Sequence, residues 1–292
     1  MKKLAVFILI ISMFFLTGCT HAAGNCDIVA TTLPVFDFTS QICENTDLTV
    51  GRLVTESVSC LHAYTLKVDQ MRMIEGSDLV VISGAGLEDF LDDALHGSEQ
   101  IIDASIGVHI HAGEHNHDAH DTHTHSHDRD PHIWLSTQNA RIMAENICNG
   151  LSQVYPEYTE IFKMNLDILL GKLSDLQEYG ELQLSDISCR ELITFHDGFA
   201  YFAEGFELKI LEAIEEESGS EASAKEIIYL VELVNAHHLP AVFTEISGSD
   251  ACAKIISAET DTAIFALDMA MSGDSYFDSM YHNIDTIKEA LR

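Results

Sequence analysis

The run Leu79-Val80-Val81-Ile82 is apolar at every position and follows a helical pattern from about Leu66 to Glu75. A strand points successive side chains to opposite faces, so a strand apolar throughout must be covered on both sides. That requirement selects a parallel sheet with helices on its two faces. The same texture runs along the first half of the chain: a β-rich run Ile28 to Thr31, an apolar-patterned helix from about Val35 to Cys43, and a further run Leu48 to Leu53. It returns after residue 184, with predicted strands at Leu192 to Phe195, Ala241 to Thr244 and Ala263 to Leu267. Helices are predicted at Gly198 to Phe206, at Lys225 to His237 and at Tyr276 to Leu291. In the second of these, Ile227, Leu230, Val231 and Val234 share one face.

Between the two halves lies a different pattern. Leu166, Leu169, Leu170 and Leu173 repeat at i, i+3, i+4 and i+7, and no proline interrupts the stretch from Pro156 to about Gly180. It is too long for an ordinary crossover and is read as a connecting helix. The expected fold class is therefore α/β: two α/β lobes with small parallel sheets, joined by a long rigid connecting helix. The expected boundaries are 26-153 for the amino-terminal lobe, 156-183 for the helix and 184-292 for the carboxy-terminal lobe.

Residues 1-19 read as an export signal. Lys2 and Lys3 form its charged start, Leu4 to Phe15 its apolar middle, and Leu16-Thr17-Gly18-Cys19 a small-residue ending before a cysteine. This ending resembles a bacterial lipobox, which implies lipidation at Cys19 and a membrane held only through that lipid. The apolar part is too short for an ordinary membrane span. The expected location is the outer face of the bacterial cytoplasmic membrane. The formal net charge of -32 excludes nucleic acid as a partner, since phosphates would be repelled. Most of those carboxylates are read as a solvated surface.

From His109 to His127 the chain carries eight histidines, His109, His111, His115, His117, His120, His123, His125 and His127, interleaved with aspartates. Neutral imidazole suits zinc, copper and nickel, and His-x-His spacing lets many pairs chelate. The tract has too few apolar residues to pack, so residues 109-128 are expected to be a disordered loop. It is an accessory metal binder without one selective geometry; the alternative is a solvated insert with no role.

Selectivity requires fixed donors. His196 and Asp268 each follow a predicted strand at its carboxyl end, the edge where open α/β sheets bind ligands. His62 and His132 supply two further donors from the first lobe. Three imidazoles and one carboxylate complete a tetrahedral shell. Each of these residues also has a structural reading: a hydrogen-bonded core histidine, or for Asp268 a helix N-cap.

After Cys19, six of the seven cysteines remain. Outside the cytoplasm an even number points to disulfides. Cys26 opens a strand and Cys43 closes the helix running back beside it, so these two are expected to pair. Cys148 with Cys189 and Cys60 with Cys252 are the further expected pairs.

The phrases Thr31-Thr32-Leu33-Pro34-Val35-Phe36-Asp37-Phe38, Asp130-Pro131-His132-Ile133-Trp134-Leu135-Ser136, Phe195-His196-Asp197-Gly198-Phe199-Ala200-Tyr201-Phe202 and Tyr281-His282-Asn283-Ile284-Asp285 resemble the metal-binding solute-binding proteins of zinc and manganese ABC importers. The resemblance spans essentially the whole mature chain. It implies two lobes on a rigid helix with the metal between them, and it places the metal ligands on His62, His132, His196 and Asp268. It implies Zn2+ as transported ligand, Mn2+ being the lesser candidate because manganese members place a glutamate where His196 stands. The implied partner is a membrane permease, and the implied role is capture and delivery by a monomer rather than enzymatic turnover. The phrase Ser59-Cys60-Leu61-His62-Ala63-Tyr64 departs from the family's pattern at the first ligand; Cys60 is read as disulfide-bonded there, with a thiolate zinc donor as the alternative. Two other readings stand beside this one: a surface zinc store or adhesin with no permease, and a zinc hydrolase. The second is disfavoured by the absence of a His-Glu-x-x-His motif and by a four-ligand shell that leaves no place for an activated water.

Overall fold

The computed structural model describes residues 26-56, 61, 64-91, 95, 100-111, 129-214 and 223-292. The export signal with Cys19, the expected ligand His62, Cys60, and the histidines from His115 to His127 lie outside the described residues. Two four-stranded parallel sheets form the two lobes.

In the first sheet β1 (Ile28–Ala30) is central, flanked by β2 (Val50–Arg52) and β3 (Leu79–Ile82), with β4 (Ile101–Asp103) outside β3. β1 is wholly buried and β3 nearly so, as their unbroken apolar sequences require. Helix α1 (Leu33–Ile42) starts immediately after β1, with Pro34 in its first turn, where the missing N–H costs nothing. Helix α2 (Val68–Glu75) precedes β3, and α3 (Thr137–Val154) covers the other face through Met143, Ala144, Ile147 and Leu151. The turn after β3 must be tight. Gly84 has φ +83, and a Cβ there would lie 2.0 Å from Asp103 Oδ1, so only glycine fits.

The connecting helix α4 runs over Thr159–Gln183 and buries Phe162, Leu169, Leu173 and Leu176. It is bonded to both lobes. Asn165 donates to the Ile42 and Glu44 carbonyls at 3.0 and 2.7 Å, satisfying the end of α1. Gln177 donates to the Gly205 carbonyl and Tyr179 to Asp285 on the other side.

The second sheet has the order β6 (Lys209–Ala213), β5 (Glu191–Thr194), β7 (Ala241–Glu245), β8 (Ala263–Leu267). Helices α5 (Ala200–Gly205), α6 (Ala224–His237), α7 (Ala251–Thr260) and α8 (Tyr276–Ala290) surround it. Ser223 and Glu226 exchange hydrogen bonds at the start of α6, a reciprocal cap that fixes where it begins. Only Leu230 and Val234 of its expected apolar face are fully buried. One apolar cluster reaches from Ile28, Phe38 and Trp134 through Leu169 and Leu173 to Phe243 and Met280, so the lobes share a core.

The expected disulfides between Cys26 and Cys43 and between Cys148 and Cys189 are not formed; all four are free thiols. The reason is packing across helices. Cys43, at the end of α1, lies close enough to Cys148 on α3 for the two to act on each other electrostatically, and burial pushes its thiol up to about 12. Cys26 instead lies against Gly51 of β2, and Cys189 points back to the Glu191 carbonyl. Cys252 is buried on α7, and its expected partner Cys60 lies outside the described residues.

Candidate metal centre

The carboxyl edge of the second sheet carries three ionisable side chains in three neighbouring strands. His196 follows β5, Glu245 is the last residue of β7, and Asp268 follows β8. Across from them the loop before α3 presents His132. His196 Nε2 and His132 Nε2 stand 3.3 Å apart, with the rings nearly perpendicular. Two ring nitrogens at that separation either share one proton or turn their lone pairs to one point.

Each imidazole has a carboxylate behind it. Asp130 Oδ1 accepts from the His132 backbone N–H at 2.9 Å and meets His132 Nδ1 at 2.8 Å. Glu245 Oε2 lies 3.5 Å from His196 Nδ1. A carboxylate on one ring nitrogen fixes the tautomer and directs the other nitrogen at a metal. His132 is 4% exposed and Glu245 7%, so both sit out of bulk water. Burial pushes the Glu245 carboxyl up to about 7; His132 opposes the shift and Asp268 adds to it. The electrostatic reach of Glu245 to both places it among the cleft groups.

Asp268 is braced rather than loose. Its Oδ1 accepts from Ala270 N and its Oδ2 from Ser279 Oγ, both at 2.8 Å. Its backbone exchanges hydrogen bonds with Asn283, a fully buried residue of α8. The two sides of the cleft are tied next to this point: Trp134 Nε1 donates to the Met269 carbonyl and Tyr276 OH donates to the Trp134 carbonyl, each at 2.8 Å. Gly198 is required by crowding. A Cβ there would come within 2.9 Å of Met269 Cε, His196 Cδ2 and His132 Nδ1, so any larger residue would push the two imidazoles apart.

Among the described residues no three His, Cys, Asp or Glu side chains converge on a single metal position. The cleft shows two converged imidazoles with carboxylates close by. Glu56 is bonded to Lys67 and to Tyr64, which holds its carboxyl down to about 2, and Gln70 donates to Tyr64 and to the Leu53 carbonyl. A surface depression of about 480 Å3, where Cys189, Glu191, His237 and His238 meet, lies at the opposite edge of the second sheet, away from this chemistry.

Of the histidine tract, His109 and His111 are described. His111 stacks on Tyr201 with ring centroids 4.2 Å apart, and its Nε2 meets Glu204 at 2.9 Å. Tyr201 OH accepts from His111 N and donates to the Asp130 carbonyl, while Asp130 N donates to the His111 carbonyl. Burial pushes that hydroxyl up to about 12, so it remains a donor. The two ends of the tract are thus held together two residues before His132.

The family model described as zinc-uptake complex component A, periplasmic, matches residues 28–290. The chain belongs to this family. It is 27% identical to the zinc-binding lipoprotein AdcA of Streptococcus pneumoniae over 99% of its own length. It spans 61% of the length of that relative. The Zn(II)-bound ZnuA-like domain of S. pneumoniae AdcA superposes with a TM-score of 0.76 at 26% identity, covering 92% of this chain and 99% of the domain. A manganese-bound periplasmic metal-binding protein from Candidatus Liberibacter asiaticus shares the fold, with a TM-score of 0.78 at 22% identity and coverage of 91% and 100%. The two-lobed α/β fold expected from the sequence is the fold of this family.

Glu245 was not singled out in the sequence, although the signal was there. The predicted strand Ala241 to Thr244 puts it at the same carboxyl edge as His196 and Asp268.

Proposed function

We propose that this protein captures Zn(II) outside the cytoplasm and delivers it to the membrane permease of an ABC importer. The observation that supports this most directly is the His132–His196 pair. The two Nε2 atoms face each other at 3.3 Å, each ring is backed by a carboxylate, and Asp268 stands at the same sheet edge, in a chain of the zinc-uptake family. The proposed ligands are His132, His196, Asp268 and His62. Zinc is the cargo, and no bond of any substrate is made or broken. A closed shell of nitrogen donors and one carboxylate suits zinc better than a hard ion. Protons compete for the same nitrogens, so binding weakens in acid. Lipidation at Cys19 would keep the monomer beside its permease, and the histidine tract would collect ions near the cleft.

Glu245 gives the manganese reading its one structural support, since an added oxygen donor favours a harder ion. A competitive titration with zinc and manganese in parallel separates the two. The metal-stripped mature protein is compared with a variant lacking residues 112-128, a deletion that spares the His111–Asp130 bond. The expected result is one tight zinc equivalent in both, lost in His132→Ala and His196→Ala, with manganese binding more weakly. Loss of tight binding on deleting the tract alone would point instead to a surface zinc store.

A further inference from the structure

We infer that Glu245 is a positioning residue for the metal site: its carboxylate accepts the Nδ1–H of His196 and so holds that ring with the Nε2 lone pair turned into the cleft. The inference rests on the zinc-capture reading and adds a residue to it. The two imidazoles are placed in matched ways. On the His132 side, Asp130 occupies Nδ1 at 2.8 Å and Nε2 is left facing His196. On the His196 side, Nε2 faces His132 in the same way, and Glu245 Oε2 stands at the Nδ1 position at 3.5 Å, an ion-pair distance a few tenths of an ångström beyond a hydrogen bond. The Glu245 side chain is 5% exposed.

The two carboxylates differ in origin, and the difference matters. Asp130 belongs to the same short loop as His132 and moves with it. Glu245 belongs to β7, which is paired along its whole length with β8, the strand that leads into Asp268. Glu245 therefore ties the orientation of His196 to the frame that carries Asp268.

The ring's tautomer is read directly by 15N NMR of the imidazole nitrogens in metal-stripped protein at pH 8. The expected result is His196 as the Nδ1–H form in the parent. Glu245→Gln keeps an oxygen acceptor but no charge, so it should retain that form and bind zinc roughly tenfold more weakly. Glu245→Leu removes the acceptor, so the ring should move toward the Nε2–H form, with zinc binding weakened by roughly 100-fold. Visible spectra of the cobalt(II)-loaded parent and Gln variant should coincide, because a positioning residue is not itself a ligand. An Nε2–H form in the parent, zinc binding unchanged in the Gln variant, or a changed cobalt spectrum in that variant would each overturn the inference. The Gln variant decides the matter alone if Glu245→Leu does not fold. The tautomer measurement needs no metal. A parent that shows no tight zinc equivalent would therefore refute the capture reading while leaving the Glu245 contact judged on its own.

Discussion

Glu88 shows what a single buried carboxyl contributes to this molecule. It lies 5% exposed where β1 and β3 end, and accepts from Thr31 Oγ1 at 2.6 Å, Ser83 N at 2.8 Å and Gly84 N at 2.9 Å. Burial nevertheless dominates those three donors, Asp103 adds to it, and the group is pushed up from 4.5 to about 7. The folded chain therefore keeps a proton that the unfolded chain has already released between these values. Its contribution to stability is complete below about 4.5 and is lost as pH rises to about 7, a change on the order of 3 kcal/mol. Glu88→Gln cannot ionise. It should show a constant offset from its altered hydrogen bonds and, relative to it, the parent should lose that amount between pH 4.5 and 7.5 in urea unfolding of metal-free protein. Parallel curves would contradict the burial argument. Single residues were legible where a general rule fixes their place: the strand-edge rule put His196 and Asp268 at the carboxyl edge of the second sheet. The cysteine contacts were not legible, because Cys43 meets Cys148 only through the packing of α1 on α3, which no local pattern encodes.

At the scale of elements, the runs that are apolar throughout or periodic over several turns were readable: β1, β3, β8, α4, α6 and α8 fall where the patterns place them, within a few residues. Three of the unexpected elements share a cause, while α3, also unexpected, has a clear apolar period in Ala140, Met143, Ala144, Ile147 and Leu151. β4 and β6 are sheet edges with burial on few positions, and α7 buries only Cys252, Ala253 and Ile256, so none of them carries a strong period. Short α5 was expected longer, yet it bears the residue on which the tract's base depends. Tyr201→Phe would remove one hydroxyl while keeping the ring stacked on His111. It would leave the His111 N–H and the Asp130 carbonyl without their partner, a loss on the order of 1–3 kcal/mol. Amide hydrogen exchange at His111 should then accelerate by roughly tenfold or more, with α8 unchanged. Because Asp130 also holds His132, zinc affinity should fall in the same variant although Tyr201 touches no proposed ligand. Unchanged exchange at His111 would mean that the base of the tract is held by the Asp130–His111 bond and not by Tyr201.

The whole molecule behaves as two lobes that share a core. The apolar cluster is continuous from Ile28 through α4 to Ile287, and Tyr276 joins both sides: its N–H donates to Asp37 and its hydroxyl to the Trp134 carbonyl. Arg52 on the first lobe donates to the Gly273 carbonyl on the second. Such a welded arrangement leaves little room for the lobes to swing, so metal capture should be a matter of small side-chain and loop movements. It also means that the chain should unfold in one transition. A ligand that binds only the folded state adds about 2.7 kcal/mol when present at 100 times its dissociation constant. For a chain of this size that raises the midpoint by roughly 5–8 °C. Calorimetry of the metal-free protein should therefore show one peak, and zinc at that excess should move the whole peak up. In His196→Ala the peak should remain single and zinc should no longer move it. Two peaks, only one of them moved by zinc, would mean that the lobes unfold separately and that the metal is held within one of them. The cleft between the lobes would then not be the place where zinc is bound.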